Sequence, residues 1–177
     1  MTTLETLLND PDTAGVWNLV PDRSAFTFST RTMWGLWNVK GRFGEVSGDA
    51  QITGKGAVFG RIDIQAASLR TGIRRRDDHL RSADFFDVER FPEISVAVTA
   101  VEPGPGNAAE LGARVAIRGA THELPLPVTV VTLDDGSVRV STKTKLQRAR
   151  FGLDWNKFGV VGKTTTVAAE AVFERAP

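Results

Sequence analysis

Apolar and polar residues alternate with a period of two along most of the chain. In SAFTFST, Phe26 and Phe28 alternate with small polar residues; in WNVKGRF, Trp37, Val39 and Phe43 alternate with Asn38, Lys40 and Arg42. EVSGDAQI sets Val46, Ala50 and Ile52 against Glu45, Ser47, Asp49 and Gln51. AVFGRIDIQA sets Val58, Ile62 and Ile64 against Arg61, Asp63 and Gln65. The pattern recurs in EISVAVTAV, ELGARVAIRG, HELPLPVTVV, GSVRVSTKTKL and KTTTVAAEAVFE. Successive side chains of a strand point to opposite faces, so the alternation predicts antiparallel strands with one buried and one wet face.

Turn signals separate these runs at Pro21-Asp22, Gly54-Lys55-Gly56, Pro103 to Asn107 and Asp134-Asp135-Gly136. Roughly eight to ten strands at this spacing read as a sandwich or a closed barrel. Glycines inside the runs, at positions 41, 44, 48, 60 and 112, favour a curled sheet. Small residues among the inward candidates (Ala50, Ala97, Ala100, Ala113, Ala116) leave room for an elongated apolar cavity in a barrel of about eight strands. Two stretches read as short helices, near residues 2–8 and 75–86. The expected organisation is one all-β domain over 1–177, with 1–15 as an N-terminal extension.

Composition narrows the chemistry. Lys plus Arg total 22 against 21 for Asp plus Glu, a formal charge of +1, which gives no global attraction to nucleic acid or an anionic membrane. Cysteine is absent, which excludes disulfides, thiolate nucleophiles and Cys-based metal sites. No run approaches the roughly 18 consecutive apolar residues of a membrane span, and no secretory signal is visible. The expected location is the cytoplasm, or the periplasm or exterior if a signal has been removed.

The densest chemistry is RRRDDHLRSADFFDVERFP, residues 74–92, with five Arg, five carboxylates and one of the two histidines of the chain. Its charges cancel with His79 neutral, whereas phosphate-backbone binding wants an uncompensated basic stripe. No nucleophile elbow is present, and neither His79 nor His122 has ligand-type spacing to a second histidine. Two alternatives stay open on residues alone. One is metal-assisted hydrolysis by Asp77, His79 and Asp84; the other is an interaction module whose barrel is filled. A third reading makes Leu80, Phe85 and Phe86 the closure of a barrel end, with Trp34 and Trp37 as core plugs or as the lining of a pocket entrance.

Several segments in order resemble the YceI-like, polyisoprenoid-binding, lipocalin-like proteins. They are DRSAFTFSTRTMWGLWNVKGRFGEVSGDAQI, AASLRTGIRRRDDHLRSADFFDVERFPEISV, IRGATHELPLPV and RARFGLDWN, together covering roughly residues 17–173. The chain departs from the family pattern at Thr32, where His is common, and at Arg150, where an acid is usual. The resemblance implies an extended eight-stranded antiparallel barrel that binds, sequesters or transports a polyprenyl phosphate or isoprenoid quinone without catalysis, cofactor or metal, and it implies a homodimer. On this reading Phe28, Trp34, Trp37, Phe43, Ile52, Ile62, Ile64, Leu80, Phe85 and Phe86 contact the tail. Arg42, His79 and Arg81 are the candidates for its polar end.

Overall fold

The structure, a computed structural model, describes residues 2–177, the side chain of Phe158 excepted. Eleven strand segments form one antiparallel sheet that closes on itself. The first six are β1 (Gly15–Leu19), β2 (Ala25–Thr32), β3 (Trp37–Phe43), β4 (Val46–Ile52), β5 (Val58–Gln65) and β6 (Leu69–Arg70). They pair off as three broken strands. β1 and β2 are parted by the 3₁₀ turn Pro21–Arg23, β3 and β4 by Gly44-Glu45, and β5 and β6 by the 3₁₀ turn Ala66–Ser68.

The rest are unbroken: β7 (Glu93–Pro103), β8 (Ala108–Ile117), β9 (Ala120–Thr132), β10 (Val138–Gln147) and β11 (Val161–Arg175). Counted this way the meander has eight strands. It closes where β11 pairs with β2 through Val167↔Phe28 and Ala169↔Phe26, and with β1 through Phe173↔Leu19. Closure removes the free strand edges that an open sheet exposes.

The alternation read from the sequence is the in–out alternation of this barrel. Phe26, Phe28 and Phe43 face inward, and Thr27 and Arg42 between them are exposed. Of the small residues expected inside, Ala50 lines the cavity and Ala113 is buried, whereas the inner positions of β7 and β8 go to Val96, Val98, Val115 and Ile117. Ala97 and Ala116 take the intervening outer positions. A bulge between Val98 and Ala100 then shifts the parity of β7, so that Val101 lines the interior.

Both ends are covered. At one end α1 (Thr3–Asn9) is started by a capping box, in which the Thr2 hydroxyl accepts from Glu5 N–H and the Glu5 carboxylate accepts from Thr2 N–H. It lays Leu4, Leu7 and Leu8 against the interior, so the N-terminal extension is a plug. At the other end α2 (Arg74–Arg81) ends five residues before the expected boundary of 86. Ser82 is extended and its hydroxyl donates to His79 O, while Phe86 N–H and Val88 N–H turn back to Leu80 O and Arg81 O. That reversal points Phe85 and Phe86 inward, where a continued helix would have carried them past the rim. Among the described residues no helix is long and apolar enough to cross a membrane.

The two-residue β8–β9 connection has both central residues at positive φ, Arg118 at 50° and Gly119 at 75°, as a type I′ hairpin turn requires. A Cβ on Gly119 would lie 2.7 Å from Phe91 Cε1. Gly119→Ala is therefore expected to lower the unfolding free energy by about 2 kcal/mol, from strain and displacement of Phe91 together. A fall in urea midpoint at unchanged slope is the check.

Candidate functional site

The barrel interior is a continuous apolar cavity of about 490 Å³, within the range of small-molecule pockets. Its wall is built almost wholly from Val, Ile, Leu, Phe and Ala on alternate strand positions. Thr30, Thr142, Thr144 and Thr165 add hydroxyls. Two of these hydroxyls satisfy each other, Thr30 Oγ1 and Thr165 Oγ1 at 2.7 Å, and Thr142 donates to Pro127 O at 2.7 Å. The threonines thus line the wall without leaving unpaired buried side-chain polar atoms, and none is found among the described residues.

Phe28, Phe43 and Phe86 form a ring cluster with centroids 5.4 to 6.3 Å apart. Gly41 makes room for it, since a Cβ there would fall 2.4 Å from Phe28 Cζ. The end closed by α2 carries the polar chemistry. His79 Nε2 donates to Asp84 Oδ2 at 2.9 Å, and the imidazole meets Trp155 and Phe85 edge-on at 4.7 and 5.1 Å. His79, Phe85 and Trp155 all border the cavity.

Arg148, at the end of β10, is buried and donates to three main-chain carbonyls: Gly162 O at 2.7 Å, Leu153 O at 2.6 Å and Trp155 O at 3.4 Å. Burial pushes its guanidinium below the ordinary value, and the nearby Asp154 carboxylate acts the other way. Arg118 ties the same rim together from the β8–β9 turn, donating to Phe85 O and Gly152 O at 2.8 and 2.9 Å. Two arginines thus hold segment 148–162 and the α2 segment over the mouth by main-chain contacts.

Phe28, Phe43, Ile52, Ile62, Ile64, Leu80, Phe85, Phe86 and His79 all stand on the cavity wall. Trp34 and Trp37 do not; they are 72% and 67% exposed. Trp37 opens β3 opposite Thr32 with the inward parity of Val39, but it stands outside the cavity lining. Arg42 points outward from β3. Arg81 is spent on Ala67 O and Leu69 O at 2.9 and 2.7 Å, with an ion pair to Asp78, and is a brace.

Residue-by-residue reading missed Arg76, Arg148 and Trp155, which border the cavity. Arg148 and Trp155 lie in RARFGLDWN, a segment singled out by resemblance, but nothing local signals that its first arginine is buried. The Asp77, His79 and Asp84 trio does not converge. Asp77 is buried and accepts from Thr71 N–H and the Thr71 hydroxyl, while Asp84 pairs with His79. Among the described residues no three His, Cys, Asp or Glu side chains are grouped to hold a metal.

The family profile described as the YceI-like domain matches residues 17–173. The chain belongs to that family. A UPF0312 protein of Pseudomonas putida (strain W619) is 31% identical over 109 residues, covering 59% of this chain and 54% of the relative. Another, from Shewanella sp. (strain ANA-3), is 26% identical over 52% of this chain and 50% of its own length. The chain thus spans about half the length of the curated relatives it matches. Among solved structures, BcnA of Burkholderia cenocepacia superposes with a TM-score of 0.79 at 19% identity, over 87% of this chain and 98% of that one. A polyisoprenoid binding domain from Saccharophagus degradans, implicated in plant cell wall breakdown, does so with 0.76 at 18% identity, over 90% and 98%. At these identities the likeness establishes the shared YceI-like barrel fold.

Proposed function

We propose that the barrel binds an amphiphilic isoprenoid lipid, a polyprenyl phosphate or an isoprenoid quinone, tail inward and polar end toward the His79 rim, and carries it without catalysis. The observation that carries this reading is the cavity itself. It is apolar and runs from α1 to the α2 end, where Arg76, His79 and Arg148 border it; the other charged side chains at its wall are Asp49 and Arg61, paired across β4 and β5. The polyisoprenoid binding domain of S. degradans, which shares the fold, supports the same class of ligand.

Tail burial supplies the driving force at about 25 cal/mol per Å² of apolar surface. Roughly 400 Å² would yield on the order of 10 kcal/mol before the cost of ordering a flexible chain. Arg76 uses Nε and Nη2 on Thr71, which leaves Nη1 to donate to an oxygen-rich head group, while His79 is held beside it by its Nε2 bond to Asp84. Phe28, Phe43, Ile52, Ile62, Ile64, Leu80, Phe85 and Phe86 are the proposed tail contacts. Delipidated protein titrated with a long-chain polyprenyl phosphate should quench its tryptophan emission saturably at about one lipid per chain, Trp17 and Trp155 both bordering the cavity. A short-chain prenyl phosphate should bind far more weakly. Equal binding of long and short chains would contradict a tail-driven site.

A further inference from the structure

Overall charge is close to balanced, but its distribution on the barrel is not. Arg70, Arg42, Thr27, Ala168 and Lys143 form one hydrogen-bonded rung across β6, β3, β2, β11 and β10. The next rung toward the rim is Lys40, Ser29, Thr166 and Lys145, and Arg31 stands beyond it. All six cations are exposed, and none has a salt-bridge partner among the described residues. The first acid on this face is Glu170, one rung further from the rim. Arg42 and Arg70 are cross-strand partners, an arrangement of like charges that costs stability and has no counterion here to relieve it.

Directly beyond these rungs the β2–β3 turn carries Met33, Trp34 and Leu36, and β3 opens on Trp37; the four are exposed by 42%, 72%, 81% and 67%. Met33 and Trp34 adopt positive φ, 50° and 56°, a conformation that costs energy for bulky side chains and marks functional turns. Four exposed large apolar side chains within residues 33–37, bordered by uncompensated Lys and Arg, combine the two terms of interfacial membrane binding. Aromatic and aliphatic groups enter the headgroup boundary, and cations pair with anionic lipid. Nucleic acid or an acidic protein would use the cations but has no need of the tip.

We propose that the β2–β3 tip and the adjoining basic face of β10, β11, β2, β3 and β6 dock this protein on an anionic bilayer surface, with Trp34, Leu36 and Trp37 seated in the interface. The tip belongs to the same end of the barrel as α2 and segment 148–162, so docking presents the covered mouth to the bilayer. The docking surface does not depend on what the cavity holds, and its test leaves the cavity out.

The experiment is co-sedimentation of the full chain with vesicles of phosphatidylcholine alone or mixed with phosphatidylglycerol. The protein is expected to pellet with the anionic vesicles, weakly with the neutral ones, and to be released by high salt. Trp34→Ser with Trp37→Ser, and separately Lys40→Glu with Arg42→Glu, should each lower the partition coefficient by about tenfold or more. All four positions are exposed, and circular dichroism verifies the fold. No pelleting of the unaltered protein would overturn the proposal, as would pelleting that the tryptophan pair leaves untouched. A concentration-dependent dimer that the tryptophan pair abolishes, without vesicle binding, would assign the tip to a second copy instead.

Discussion

Replacing Arg148 with alanine is expected to lower the unfolding free energy by about 3 kcal/mol, the sum of unpaired buried carbonyls and the void left behind. The residue is 7% exposed and is the common donor to Gly162, Leu153 and Trp155. Without it the 148–162 segment loses the cation that gathers its carbonyls, and Trp155 loses its seat beside His79. For a chain of this size the melting temperature should fall by roughly 6 to 12 °C. Arg148→Lys should recover only part of this, because a point-charge ammonium cannot reproduce the planar fork that reaches three carbonyls. The matching local readout is hydrogen exchange, which should quicken in 148–162 first. An Arg148→Ala protein that melts with the parent would show that the rim is held by other contacts.

The second large effect concerns the cavity. Val167 and Thr166 are neighbours on β11, yet Val167 borders the cavity and Thr166 lies on the outer face between Ser29 and Lys145. Val167→Trp should insert an indole into the lumen beside Phe28 and Thr144 and reduce lipid retention by about tenfold or more. Thr166→Trp, the same side chain one residue away, should retain lipid as the parent does. Overpacking of the first is expected to cost about 1 to 3 kcal/mol, which leaves a folded protein to measure. A scintillation or fluorescence assay on both folded variants provides the comparison, and equal retention by the two would place the lipid elsewhere.

The strands were legible because one face of each must be buried. Phe26, Phe28 and Phe43, or Val58, Ile62 and Ile64, announce a period of two wherever core and solvent lie on opposite sides of a single sheet. The same rule misplaces Trp34, which sits in the β2–β3 turn, and Trp37, which opens β3 at its exposed end, where inward parity no longer brings burial. The bulge at Val98/Ala100 changes the parity of β7 without any local sequence mark, so an alternation carried back from Val101 puts Ala97 on the wrong face.

What escaped entirely was assembled over long range. Arg148 is buried because segment 148–162 folds back over it, and isolated arginines normally read as surface residues. The basic face exists only once five strands are in register. In the sequence its cations lie between positions 31 and 145, diluted by an almost equal number of acids. Helix α2 stops at Arg81 because Ser82 and the reversed bonds to Leu80 and Arg81 favour a turn that buries two phenylalanines.

If the lumen holds an isoprenoid tail, organic extraction and mass spectrometry of the purified, unaltered protein should find a prenyl-chain lipid at close to one per chain, recovered again after delipidation and reloading. Protein that carries no such lipid and takes none up when offered polyprenyl phosphate or isoprenoid quinone would contradict that reading.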